Sequence, residues 1–255
     1  ECCRQARRSG IQPGIDDAAP QIAWLERLRR HIDDHFTEPL MLDDLARVAQ
    51  VNPSYLSRAF KRYIGKTLFG SLIAMVVLFA YWGLFTWMPS FLARAVDQGG
   101  AGLGIVKSSA WIIPMQVGAF FGYVSFGFFA DRFGRRPVFA LFLACATILV
   151  PVYGQLVRHD VLLFVLGPLI GFFGHGYFSV FGVLLSELFP TRVRGTAQGF
   201  VYNVGRAFSA LAPFTVGALA DVYGIGSALA ITSAFFLAGG VMIFLLPETL
   251  GRELH

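Results

Sequence analysis

Arg206 and His175 stand inside otherwise apolar stretches, where a titratable side chain is rare enough to be informative. Arg206 lies nine residues beyond Ala197, the start of its apolar run. At about 1.5 Å per helical residue that is roughly 14 Å deep, near the middle of a bilayer, where an unpaired guanidinium costs at least about 2.5 kcal/mol. Two arrangements meet that cost. The side chain faces the interior of a helix bundle beside Tyr202 and Asn203, with an anionic solute as its natural partner, or it pairs structurally or snorkels to an interface. His175 likewise has two readings: a proton-relay group, or a ring hydrogen-bonded to a backbone carbonyl beside Gly174 and Gly176. There is no metal-ligand cluster, no phosphate-cradling Gly-Lys motif and no nucleophile beside a base, so neither an enzyme nor a cofactor is expected. His31 and His35 share a helix face, but no third ligand type accompanies them and a solvated face accounts for the pair.

These residues need elements that hold them in lipid. The chain is 55% hydrophobic and 15% charged, with a mean hydropathy of +0.60, which excludes an ordinary soluble domain. A bilayer core about 30 Å thick calls for roughly 20 predominantly apolar residues per spanning helix. Six runs of that kind are present, about 69–92, 108–130, 137–157, 161–185, 197–219 and 225–246. Gly118 with Gly122, and Gly167 with Gly171, have the spacing that lets membrane helices pack closely. Pro89, Pro114, Pro168 and Pro213 bend helices near a central cavity, and Tyr81, Trp82, Trp87 and Trp111 either line that cavity or, as aromatic residues near helix ends more often do, act as interfacial anchors. Cys2, Cys3 and Cys145 form no disulfide framework.

Positive charge is distributed unevenly about the six runs. Lys61, Arg62, Lys66, Arg132, Arg135, Arg136, Arg192, Arg194 and Arg252 fall on one side, against Arg94, Lys107 and Arg158 on the other, which places both termini in the cytoplasm. The second and third runs are joined by the short hairpin Gly127-Phe-Phe-Ala-Asp131-Arg132-Phe-Gly134-Arg135-Arg136. Its glycines permit the turn, Asp131 suits a neighbouring helix N-terminus, and its arginines meet the anionic leaflet. Ser186-Glu187-Leu-Phe-Pro190-Thr-Arg192-Val-Arg194-Gly195 follows the fourth run, and Pro247-Glu248-Thr249-Leu-Gly251-Arg252 follows the sixth.

The hairpin resembles the signature loop of the major facilitator superfamily, G-x-x-x-D-R-x-G-R-R. The two later segments resemble those after the tenth and twelfth helices of its sugar-porter-like members. The resemblance covers residues 69 to 255 and implies an all-α fold: a six-helix transmembrane bundle equivalent to the seventh through twelfth helices, with nothing upstream of Phe69 to supply the first six. It also implies a conformational latch in which Gly127, Asp131, Arg132, Gly134, Arg135, Arg136, Glu187 and Arg194 take part. The first span lacks the paired glutamines of hexose porters and looks closer to proton-coupled carriers of organic or aromatic acids.

Residues 1–67 are soluble in character, with eleven Lys and Arg against nine Asp and Glu. Residues 1–20 read as a mobile tail. In 21–67, Ile22, Leu25, Leu28, Ile32 and Phe36 form an apolar helical stripe, and Leu42, Leu45, Ala46 and Ala49 repeat it. Asn52 and Pro53 then open a further helix that buries Leu56, Phe60 and Ile64. The stretch 39–67 resembles the first of two helix-turn-helix units in AraC-family regulators, with Ser54, Tyr55, Ser57 and Arg58 as candidate DNA contacts. Met41 departs from the family's usual Ser or Thr cap, and the second unit is absent, so any DNA binding is expected to be weak.

Three accounts follow from these features. The first is a half-transporter in the inner membrane, handling a small, anionic or sugar-like solute with the proton as coupling ion. Its partners would be membrane lipid and either a missing N-terminal half or another copy of the chain. The second is a membrane-tethered DNA-binding regulator, and the third a fusion or truncation product with neither activity.

Overall fold

The computed structural model describes residues 27–28, 30–35, 41–156, 159–189 and 191–250. The side chains of 55, 59–64, 180 and 192–193 lie outside that description, as do Ile22, Leu25 and Phe36 of the expected stripe and Arg158 and Arg252 of the charge count. The chain forms two compact units, divided between Gly65 and Lys66.

In the N-terminal unit, helical residues 30–35 precede α1 (Leu42–Ala49) and the first part of α2 (Pro53–Ala93). Leu28, Ala46, Ala49 and Leu56 are buried together, with Ile32, Leu45 and Val51 packed against them. Leu42, expected in the stripe, is 45% exposed. Gln50 turns the chain at φ +57°, and the Val51 N–H bonds the Ala46 carbonyl at 3.0 Å. The Asn52 side chain then accepts the Ser54 N–H at 2.8 Å, satisfying an orphan donor of the next helix. Met41 makes no side-chain cap bond.

The membrane unit continues with α2 from Lys66 onward, then α3 (Gly104–Phe133), α4 (Arg135–Gln155), α5 (Asp160–Gly176), α6 (Phe178–Leu188), α7 (Thr191–Ser209), α8 (Leu211–Tyr223) and α9 (Ile225–Met242). Among the described residues, five stretches are long and apolar enough to cross a membrane: Gly65–Ala93, Gly104–Phe133, Arg135–Gln155, Asp160–Leu188 and Ile225–Leu245. The chain is therefore a multi-pass membrane protein built from apolar helices.

The fifth expected run, 197–219, is divided between α7 and α8 at Ala210. Pro213 explains the break. It has no N–H to bond the Ser209 carbonyl four residues earlier, and its ring crowds that carbonyl, whereas Pro suits the first turn of the new helix. Each half is fixed to α2 separately. A Cβ on Gly205 of α7 would lie 2.6 Å from that of Ala74, and Trp87 donates its Nε1–H to the Pro213 carbonyl at 2.8 Å.

α3 and α5 touch backbone to backbone. A Cβ on Gly118 would fall 2.0 Å from the Pro168 oxygen, one on Gly122 2.3 Å from that of Phe172, and one on Gly171 1.9 Å from that of Met115. Gly167 does not share this role, since the nearest atom to its would-be Cβ is the Tyr153 hydroxyl at 3.8 Å. At one end of the pair, Lys107 and Asp160 are ion-paired and the Trp111 Nε1–H bonds the Asp160 carbonyl at 3.3 Å.

Candidate functional site

The close contact of α3 and α5 sets the depth at which their aromatic side chains meet. His175, in the last turn of α5, is 5% exposed. Its ring centroid lies 3.9 Å from Phe85 and 5.1 Å from Tyr81 of α2, and 6.4 Å from Tyr123 of α3. Phe178 of α6 packs on Tyr81 at 4.6 Å. Tyr123 and Tyr202 of α7 lie within electrostatic range of the Tyr81 hydroxyl. Four stretches of the chain thus contribute rings to one cluster, and a titratable imidazole stands inside it.

Nδ1 of His175 is enclosed without a hydrogen bond of normal geometry, although the Gly171 carbonyl one turn earlier lies within reach of the ring. A buried polar atom left this way is poised to take a partner that arrives later, whether water, a proton or a ligand. Tyr177, by contrast, is fully satisfied: its hydroxyl donates to the Val77 carbonyl at 3.2 Å, tying α2 to the α5–α6 junction.

Arg206 is not turned into the interior of this bundle, the first of the two arrangements open to it. Val201, Gly205 and Ser209, each one turn from the next, form the buried face of α7, so Asn203 and Arg206 are turned outward and exposed. The Arg206 guanidinium makes no ion pair or hydrogen bond among the described residues. Tyr202, half-buried, sits one turn before it and reaches the Tyr81 cluster. Asn203 bonds its own helix, donating from Nδ2 to the Gly199 carbonyl at 2.7 Å. Tyr81 belongs to the cluster rather than to an interface, and Phe85, Tyr123 and Phe178 join it without having been singled out in the sequence.

A second constellation lies at the hairpin end. Gly134 turns between α3 and α4 at φ +103°, a region that side chains disfavour. Arg135 then pairs with Asp131 and reaches Glu187 at 3.3 Å, and the other Glu187 oxygen accepts the Thr249 hydroxyl. Glu248 accepts the backbone N–H groups of Arg135 at 3.0 Å, Arg136 at 3.1 Å, Thr249 at 2.9 Å and Leu250 at 3.2 Å. It therefore acts as a remote cap for α4, placing negative charge where the first N–H groups of that helix lack partners. Burial alone would raise the Glu248 carboxyl, but these N–H groups outweigh it and hold the group below its ordinary range.

Of the other latch candidates, Arg136 donates to the Phe244 carbonyl at 2.6 Å and lies over that ring. Arg194 bonds the Phe189 carbonyl at 3.4 Å and the Thr191 hydroxyl at 3.2 Å rather than Glu187, and Arg132 is exposed beside Phe133. Gly127 lies within α3 with open space where a Cβ would be. Glu248 and Thr249 were legible only as part of the segment after the last span. In the N-terminal unit, Ser54 and Arg58 are exposed and Ser57 is half-buried, while the Tyr55 side chain falls outside the described residues.

Comparison with known proteins agrees with this arrangement. The sequence model of the Major Facilitator Superfamily matches residues 70–253. The chain belongs to that superfamily. This membership accords with the expectation of a non-enzymatic protein. The model of bacterial regulatory helix-turn-helix proteins of the AraC family matches residues 32–68. A Haemophilus influenzae protein named for metabolite transport is 32% identical over 240 residues, covering 91% of this chain and 56% of its own length. A Cupriavidus pinatubonensis protein named as a probable 4-methylmuconolactone transporter is 35% identical over 229 residues, 88% of this chain and 50% of its own. The cis,cis-muconate transport protein of Acinetobacter baylyi is 31% identical over 189 residues, 74% of this chain and 44% of its own. The chain thus spans about half the length of the curated relatives it matches.

Proposed function

We propose that the membrane unit is one half of a proton-coupled carrier for a small organic acid. The observation that carries this reading is the aromatic cluster drawn from α2, α3 and α6 around buried His175, with the unpaired Arg206 guanidinium one turn beyond Tyr202. Arg206 supplies the charge an anion requires, the rings supply apolar contact, and His175 supplies a group able to take a proton. Two relatives named for the transport of muconate or a methylmuconolactone support the same class of solute. In carriers of this type the site lies near the midplane between two six-helix halves, so this unit forms one wall and a second bundle forms the other.

At the hairpin end, the links among Asp131, Arg135, Glu187 and Thr249 favour one arrangement of the helix ends over another. The excess of positive charge there supports a reading in which that end and both termini face the cytoplasm.

The deciding experiment is a chimera in which residues 70–250 replace the matching half of the Acinetobacter baylyi relative. Expected is uptake of labelled organic acid under an imposed proton gradient, lost on Arg206→Ala. A chimera that reaches the membrane and takes up no such acid refutes the reading.

A second activity for the N-terminal unit rests on the Asn52-capped helix that exposes Ser54 and Arg58. A single unit of this kind gives weak, strongly salt-dependent DNA association. Nanomolar, sequence-selective binding by the full chain at physiological salt would replace the carrier reading with that of a tethered regulator.

A further inference from the structure

The N-terminal unit holds two rings that neither transport nor DNA binding uses. His31 and His35 lie one turn apart in helical residues 30–35, with ring centroids 4.3 Å apart and planes tilted by 31°. Nδ1 of His35 is 3.0 Å from the carbonyl oxygen of His31. A carbonyl oxygen only accepts, so this Nδ1 carries the proton and the lone pair of the neutral ring resides on Nε2. Metal-binding imidazoles are held in this way: one ring nitrogen donates to a backbone carbonyl, which fixes the tautomer and orientation and makes the other nitrogen a better ligand. Packing supports the geometry without any ion. Ile32, between the two histidines, rests on the core of Leu28, Ala46, Ala49 and Leu56.

We propose that His31 and His35 form a bidentate site for one divalent late transition ion per chain, with water in the remaining positions. Metal–nitrogen bonds of about 2.0–2.1 Å let rings one helical turn apart share an ion. Imidazole pairs select copper, nickel and zinc over calcium or magnesium, which want oxygen ligands. Asp34, exposed beside His35, adds negative charge near the pair. An ion bridging these positions clips one turn of the helical residues 30–35, whose Ile32 rests on the buried core, and so couples binding to the stability of the unit.

The test uses the untagged full chain in detergent with Cys2→Ser, Cys3→Ser and Cys145→Ser, which removes all three competing thiols. Copper(II) at one equivalent should give a paramagnetic resonance spectrum with two equatorial nitrogens. His31→Gln and His35→Gln should each reduce that number to one and weaken nickel(II) binding at least about tenfold in equilibrium dialysis, with helicity unchanged. His159→Gln should leave both readouts intact. Binding that survives in both variants, depends on His159, or settles at one ion per two chains with four nitrogens would overturn the proposal.

Discussion

Glu248→Gln isolates the remote cap on α4. The substitution keeps the side chain's shape and one acceptor oxygen but removes the charge that draws four backbone N–H groups onto one carboxylate. Loss of a helix cap costs about 0.5–2 kcal/mol, and hydrogen bonds to a charged group contribute about 1.5–3 kcal/mol. With one acceptor retained and the group partly open to water, a loss of about 1–2 kcal/mol is expected, or roughly 2–8 °C in the unfolding midpoint of a unit this size. The pH dependence has a definite sign. The folded carboxyl is held below its ordinary value of 4.5, so between the two values the unfolded chain binds more protons. Its contribution is complete above about pH 4.5 and fades as pH falls through the lower folded value. Thermal unfolding in detergent, followed by far-ultraviolet circular dichroism, measures it at every pH of the series. Parent and variant should differ most at pH 7, and the gap should narrow in a series taken below pH 4. Equal midpoints at pH 7, or a gap that does not narrow on acidification, would refute the cap.

Gly171→Val should separate α3 from α5, since even a Cβ there falls 1.9 Å from the Met115 oxygen; a drop of at least about 2 kcal/mol in stability is expected, while Gly167→Ala should change it by less than about 0.5 kcal/mol. Reporter fusions at His255 and near Gly100 should report opposite sides of the membrane, and identical labelling would contradict an even number of crossings. The chain by itself, reconstituted at densities that keep it monomeric, should not accumulate labelled organic acids under a proton gradient, because one half presents one wall of a cavity. Gradient-dependent uptake abolished by Arg206→Ala would show a complete six-helix carrier instead.

Run length made most spans legible, because lipid imposes a simple length and composition on each helix. The division of the fifth run was also written in the sequence, at Pro213, but a hydropathy window averages over a single missing N–H. The face that Arg206 presents was readable in the one-turn repeat of Val201, Gly205 and Ser209, a small-residue stripe that marks the buried side more surely than the depth of the arginine does. Glu248 escaped notice as a cap because it serves a helix that begins more than a hundred residues earlier, and no local pattern announces a partner so distant. The aromatic cluster was only partly legible for a similar reason. Phenylalanine and tyrosine are common throughout the membrane segment, and which of them meet His175 depends on how closely the glycines of α3 and α5 let those helices approach.

The break between α7 and α8 has a consequence for hydration. The Ser209 carbonyl has lost the donor that a continuous helix would supply, and in hydrocarbon such a group is tolerated only where protein or water reaches it. Arg206 is in the turn just before it and its guanidinium also seeks solvent or an anion. Both groups call for the same thing within one helical turn, so the α7–α8 junction is expected to admit water from the open side of this unit. Deuterium exchange at Ala210 and Leu211 should accordingly run faster than at the tightly packed centre of α5.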